Sequence, residues 1–191
     1  MSTPTSYPKA GTLPLRPSEH PRPRHFLVHF SDTHFMVPGA LLGGVADARA
    51  HLSRQLEQLE ATGVHPEALL FTGDLADRGE PEAYRSLRAV VEPVAERLGA
   101  EVIWVMGNHD DRGTLRTELL GARPTDEALD HVVMLGGLRV VVLDSTVPGY
   151  HHGELTAEQL QWLRDTLATP APEGTLLALH HPRCRASRTW Q

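Results

Sequence analysis

Once the chain passes residue 25, short apolar runs alternate with longer amphipathic ones. "HFLVHF" (25–30), "ALLFTG" (68–73), "EVIWVMG" (101–107), "LRVVVLDS" (138–145) and "TLLALHH" (175–181) are each bounded by turn residues, as buried strands are. Between them, "DARAHLSRQLEQLEAT" (47–62), "PEAYRSLRAVVEPVAERLG" (81–99) and "TAEQLQWLRDTLAT" (156–169) carry helical spacing. Leu52, Leu56 and Leu59 fall on one helix face, and Leu160, Leu163 and Leu167 on another. Thr156, with Glu158 and Gln159 just inside, opens the last helix, and Pro93 is expected to kink or interrupt the second. His29, inside a strand, reads as a packed core histidine rather than a ligand. The repeated strand-helix-strand order predicts an α/β fold whose polar sites lie at the carboxyl ends of the strands.

Composition narrows the picture. The 191 residues, 40% of them hydrophobic, suit one domain with a sizeable core. A net charge of −6 argues against a nucleic-acid partner or an acidic membrane surface, which clustered Lys and Arg would hold, so phosphate chemistry would need another means of attracting an anion. Cys184 is the single cysteine, which rules out an intrachain disulfide and predicts a reducing, cytoplasmic setting. Residues 1–24 hold six prolines and no continuous apolar core, so they are expected to be a flexible leader rather than a signal peptide or membrane span.

The strand ends carry the candidate chemistry. The first strand runs into "SDTHF" with Asp32 and His34, the second into "TGDLADRG" with Asp74 and Asp77, and the third into "GNHDD" with Asn108, His109 and Asp110. The last runs into His180 and His181. Oxygen and imidazole donors without thiolates suit Mn, Fe or Zn. Asp32 and His34, two apart in a segment read as extended, would point the same way and hold one ion. Asp74 could bridge two ions through its two oxygens, and Asn108 offers a neutral oxygen to the second. Two ions about 3.5–4 Å apart neutralise phosphate charge and lower the pKa of a shared water. Gly73 and Gly107 let the backbone turn where a side chain would collide or strain. Asp77 and Arg78 are read as ordering the loop behind Asp74; His151 and His152 are read as a solvated turn, with lining of the substrate cleft as the alternative.

Together, "HFSDTHF", "FTGDLADRGEPEAY", "VMGNHDD", "VVLDSTVPG" and "LALHHP" resemble the calcineurin-like metallophosphoesterase superfamily, and within it the class III cyclic nucleotide phosphodiesterases of bacteria. The resemblance implies a four-layered αββα sandwich over residues 25–182. It implies two divalent or trivalent ions (Fe, Mn or Zn), with Asp32 and His34 on the first, Asp74 bridging, and Asn108 with His180 on the second. His180 is preferred to His181 because the family ligand sits two places before the proline. Asn108 and His109 would bind substrate, His109 would assist the leaving group, and Asp110 would orient its ring. A metal-bridging hydroxide would open 3′,5′-cyclic AMP to 5′-AMP. Whether the chain forms a homodimer is left open.

The same resemblance raises an expectation about the C-terminus. The family continues past "HHPP" to a Gly-His-x-His motif that completes both ion sites, whereas residues 183–191 read "RCRASRTWQ". One back-translation of this tail, shifted by a base, yields the family-like Pro-Leu-Pro-Ser-Val-Pro-Asp-Met-Ala. The expectation is therefore a frameshifted tail and an incomplete, weakened or inactive site, in which Arg183, Cys184, Arg185 and Arg188 serve no function. Two alternatives stand beside the cyclic nucleotide reading: a metallophosphoesterase for another phosphoester, and a non-catalytic remnant.

Overall fold

All five residues of Ala68–Thr72 are buried, since this strand lies between two neighbours and between two layers. It is β2 of a parallel sheet in which β1 (Leu27–Phe30) and β3 (Glu101–Val105) flank it. The crossovers are α1 (Ala48–Ala61) and α2 (Pro81–Leu98), and a short α3 (Arg112–Glu118) follows β3. A second sheet pairs β4 (His131–Leu135) antiparallel and β6 (Thr175–Ala178) parallel to a central β5 (Leu138–Val142), with α4 (Ala157–Ala168) between β5 and β6. A computed structural model of the protein describes residues 23–181. The leader up to residue 22 and the tail from residue 182, with Cys184 and its arginines, lie outside the described residues.

The period-2 alternation of β2 and β3 sorts their side chains between two cores. Leu69, Phe71 and Trp104 meet Leu52 and Leu56 of α1, Leu87, Val91 and Leu98 of α2, and Leu115 of α3. On the opposite face, Leu70, Ile103 and Val105 meet Leu135, Val140, Val142 and Ala178 of the second sheet. Each fully buried Leu, Val or Phe contributes about 1.5–3 kcal/mol relative to exposure. Arg139, on the far side of β5 from Val140, donates to the carbonyls of Thr166 (2.6 Å) and Thr169 (2.8 Å) at the end of α4. The layers are therefore helices, sheet, sheet, helix, as the family resemblance implies.

Several local expectations change. The second helix runs through Pro93 without interruption. Pro93 and Ala89, whose carbonyl loses its partner, are both exposed, so water can take that acceptor while Val91, Val94 and Leu98 hold the buried face. His29 is exposed on an edge strand, its Nε2 2.6 Å from Thr72 Oγ1, and not in the core. Thr156 caps α4 in a reciprocal capping box with Gln159. Yet Leu160 and Leu167 of α4 are 37% and 42% exposed, and Gln159 is its one buried residue. Spacing defines a stripe, but burial needs an apolar layer opposite, and here the facing strands β5 and β6 present Arg139 and Thr175.

At the amino ends of the strands, the His25 ring ties the two halves together. Its Nδ1 lies 2.9 Å from Glu67, just before β2, and its Nε2 pairs with Glu173, ahead of β6. Only the imidazolium can donate from both nitrogens. The hydrogen bond to Glu67 raises the His25 pKa above 6.5, against the opposing effect of burial and with help from Glu173. A raised folded pKa means stability fully present below pH 6.5 and lost as pH climbs through the folded value. The denaturation midpoint of His25→Gln is therefore expected to fall less than that of the wild type between pH 6 and pH 9. Parallel pH profiles for the two proteins would refute this.

Candidate metal centre

Three loops meet at the carboxyl ends of β1, β2 and β3, and the backbones of the first two are bonded to one another before any side chain is considered. Asp32 N–H donates to Gly73 O (3.1 Å), His34 N–H to Asp74 O (2.9 Å) and Phe35 N–H to Leu75 O (2.9 Å). This zipper holds Asp32, His34 and Asp74 in the left-handed region at φ 55, 42 and 50°. Each such non-glycine residue costs about 1–3 kcal/mol, and strain of this kind persists where surrounding structure enforces it, typically at functional sites. The segment from Asp32 to His34 is thus not extended; its two side chains converge because both residues are left-handed. Gly73 has φ 81°, and a Cβ there would meet the His180 ring. A Cβ on Gly107 would collide with the backbone nitrogen and a carboxylate oxygen of Asp74. The loops approach this closely only because both positions lack a side chain.

The side chains then converge on Asp74, which is buried. His180 Nε2 lies 3.4 Å from Asp74 Oδ1, while His34 Nε2 and His109 Nε2 lie 3.7 and 4.0 Å from Oδ2. The His180 and His109 rings are held by their other nitrogen, while that of His34 is buried beside a carboxylate without a hydrogen bond. His180 Nδ1 donates to Thr72 O (2.9 Å), His109 Nδ1 donates to Asp77 O (2.7 Å), and His34 Nδ1 stands 3.3 Å from the Asp77 carboxylate. Backbone carbonyls accept only, so these bonds fix the Nδ1–H tautomer in His180 and His109 and leave Nε2 as the working atom. Asp32 Oδ1 is 4.0 Å from His34 Nε2, and Asn108 Nδ2 faces His151 Nδ1 at 3.1 Å, which frees the Asn108 carbonyl oxygen.

The electrostatics follow. Burial pushes the Asp74 carboxyl up, but His180, the His109 backbone N–H and the nearby imidazole charges outweigh it and hold the pKa at about 2. Asp74 in turn raises His180 to about 9 against the effect of burial. Burial and the neighbouring His180 charge lower His181. Asp74 is therefore an anion whose two oxygens are already shared between different histidines.

Asp110 does not orient the His109 ring. Its buried carboxylate accepts from the N–H groups of Leu75, Ala76 and Gly107 and from the Tyr84 hydroxyl, so it clamps the Gly73–Asp77 loop to the Gly107–Asp110 loop. Burial pushes its pKa up to about 6 against those four donors. The ring partner is the Asp77 carbonyl, and Asp77 thus serves two histidines. His151 is exposed, as a solvated turn would be, yet it reaches Asn108, while His152 packs beside Tyr150. His181 lies apart from Asp74, with its Nδ1 2.9 Å from Ser145 Oγ.

Spacing did not reveal Arg112. Its guanidinium joins the buried Asp144 (2.8 Å) to the carbonyls of Asp126 (2.9 Å) and Thr146 (3.0 Å). The "VVLDS" run after a strand was the available signal for its partner Asp144.

The donor set fits hard or borderline cations. Asp32, His34 and Asp74 place ligand atoms within 4.8 Å of one another. On the other oxygen, His180 Nε2 stands 3.4 Å from Asp74 Oδ1. Both arrangements leave the histidine Nε2 atoms free of protein hydrogen-bond donors, as metal ligation requires.

Comparison with known proteins agrees. Residues 27–189 match the calcineurin-like phosphoesterase family. The chain is 58% identical over 168 residues to a cAMP/cGMP dual specificity phosphodiesterase of Mycobacterium tuberculosis, covering 88% of this chain and 53% of that protein. It is 56% identical over 170 residues to a probable cyclic nucleotide phosphodiesterase of Rhodococcus erythropolis, covering 89% of this chain and 56% of that one. The chain thus spans about half the length of these curated relatives. Among solved structures, a dimetal phosphatase from Danio rerio superposes with a TM-score of 0.60 at 16% identity, covering 84% of this chain and 71% of that one.

Proposed function

The chain belongs to the calcineurin-like phosphoesterase family, and from that premise we propose that it is a metal-dependent phosphodiesterase acting on 3′,5′-cyclic nucleotides. The observation that carries this reading is the convergence of His34, His109 and His180 on the two oxygens of Asp74, with the Nδ1 atoms of His109 and His180 bonded to backbone carbonyls. Family membership implies divalent metal ions. Asp32, His34 and Asp74 would hold one, and Asp74, Asn108 and His180 a second. Bound there, two ions would neutralise phosphate charge and lower the pKa of a water that attacks phosphorus.

The remaining chemistry belongs to the chain itself. Asn108 and His109 would flank the phosphate, and the Asp77 carbonyl holds the His109 ring by its Nδ1. When the new O–P bond forms and the P–O3′ bond breaks, the leaving oxygen needs a proton, which His109 would deliver from Nε2 only as the imidazolium, with Nδ1–H still on the Asp77 carbonyl and the neutral Nδ1–H ring left behind. The product is the 5′-monoester. The names of the two bacterial relatives support cyclic nucleotides as the substrate class. No helix among the described residues is long and apolar enough to cross a membrane.

The test is hydrolysis by metal-depleted protein reconstituted with Mn²⁺, using cyclic AMP and bis(p-nitrophenyl) phosphate. Turnover of both is expected, lost with chelator and restored by metal. Hydrolysis of the aryl diester alone would assign another phosphoester as substrate. Hydrolysis of neither would end the enzymatic reading.

A further inference from the structure

The loop after β5 does something the phosphate site does not require. Val147-Pro148-Gly149-Tyr150 is a hydrogen-bonded turn, with Tyr150 N–H on Val147 O (2.9 Å), proline at the second position and Gly149 at φ 83°. That is a type II turn, whose sequence rules this segment satisfies. The neck of the loop is pinned on both sides. Thr146 bridges Gly153, Glu154 N–H donates to Ser145 O (2.9 Å), and Arg112 holds the Thr146 carbonyl. His181 packs against Gly153, where a Cβ would collide with its ring.

A rigid exposed loop therefore projects three rings in succession. The middle one, His151, faces Asn108 at 3.1 Å and stands 6.0 Å, ring to ring, from His109. Tyr150 is 61% exposed, and His152 backs it with ring centroids 5.2 Å apart and tilted by 57°. That spacing is too close to admit a third ring between them, so the open side of Tyr150 is the face on offer. A large aromatic side chain is thus held in the open by a preformed turn, one residue from the group that touches Asn108.

We propose that Tyr150 is a specificity-determining residue that stacks the nucleobase of a nucleotide whose phosphate sits at Asn108 and His109. The proposal rests on the phosphodiesterase reading of that site. Stacking of a base on an aromatic ring is tolerant of base identity, so Tyr150 separates nucleotides from diesters that carry no ring, and does not separate adenine from guanine. Because the turn fixes Tyr150 before ligand arrives, little ordering is left to oppose binding.

The experiment is calorimetric titration of the full chain with Mn²⁺ present, using AMP and ribose 5-phosphate, which share a sugar and phosphate and differ by the base. AMP is expected to bind roughly tenfold more tightly. Tyr150→Ala should erase that difference while leaving ribose 5-phosphate affinity unchanged, and Tyr150→Phe should keep it. Equal affinities in the wild type, or a tenfold preference that survives in Tyr150→Ala, would overturn the base-stacking role while phosphate binding still stands. If neither ligand binds, the phosphodiesterase reading fails and this one with it.

Discussion

Asp74→Asn is expected to bind neither metal ion and to lose about a thousandfold or more in kcat/KM, roughly 4 kcal/mol of transition-state stabilisation. The reason is the division of labour in its carboxylate. Oδ2 faces His34 and His109, and Oδ1 faces His180, so one side chain stands between both halves of the centre. An amide keeps the volume and can keep the hydrogen bond from the His109 backbone N–H (3.0 Å), but it loses the charge and one of the two acceptors. Asn108→Ala removes a ligand from one side alone, and its expected stoichiometry is one ion per chain. Metal analysis by mass spectrometry, with circular dichroism to confirm folding, separates these cases. Two ions retained in Asp74→Asn would exclude a bridging role.

The second large effect lies outside the metal centre. Arg112→Ala is expected to destabilise the protein by about 3–5 kcal/mol, because it strands a buried carboxylate. Asp144 is 1% exposed and, besides Arg112, accepts from Leu129 N–H, Thr146 N–H and the Thr146 hydroxyl. Those neutral donors satisfy lone pairs but do not balance the charge. At about 2–4 °C per kcal/mol for a chain of this size, the melting temperature should drop by about 10 °C. Arg112→Ala combined with Asp144→Asn should cost much less than the two singles added together, since the stranded charge is then gone. A loss below about 1 kcal/mol in Arg112→Ala would show that the pair is not the anchor described here.

The extent to which the site could be read in the chain follows the range of the forces involved. Asp32, His34, Asp74, Asn108 and the pair His180-His181 were legible as candidates because each follows an apolar run directly, and parallel strands deliver their carboxyl ends to one rim. The family resemblance implied that Asp110 orients the His109 ring, whereas its carboxylate is taken up by three backbone N–H groups and the Tyr84 hydroxyl. The pair β4 and β5 had a signal that passed unused: "HVVML" and "LRVVV" are separated by Gly136-Gly137, a two-residue hairpin connection. Helix α3 is seven residues long and contains Gly113, too short for periodicity to show, although Asp111 caps it. The leucine stripe of α4 was read correctly as a stripe, and its exposure depended on what the second sheet placed opposite.

By itself, the sequence determined the quantities that short stretches carry: strand and helix character, turn positions, and the identity of the donors at the strand ends. Only the tertiary structure decided how those donors meet. His180 finds the carbonyl of Thr72 across 108 residues, and the left-handed conformations of Asp32, His34 and Asp74 are imposed by backbone bonds between separate loops. The physical reason is that local propensity acts over a few residues, whereas the orientation of an imidazole is set by whichever distant oxygen packing brings to its second nitrogen.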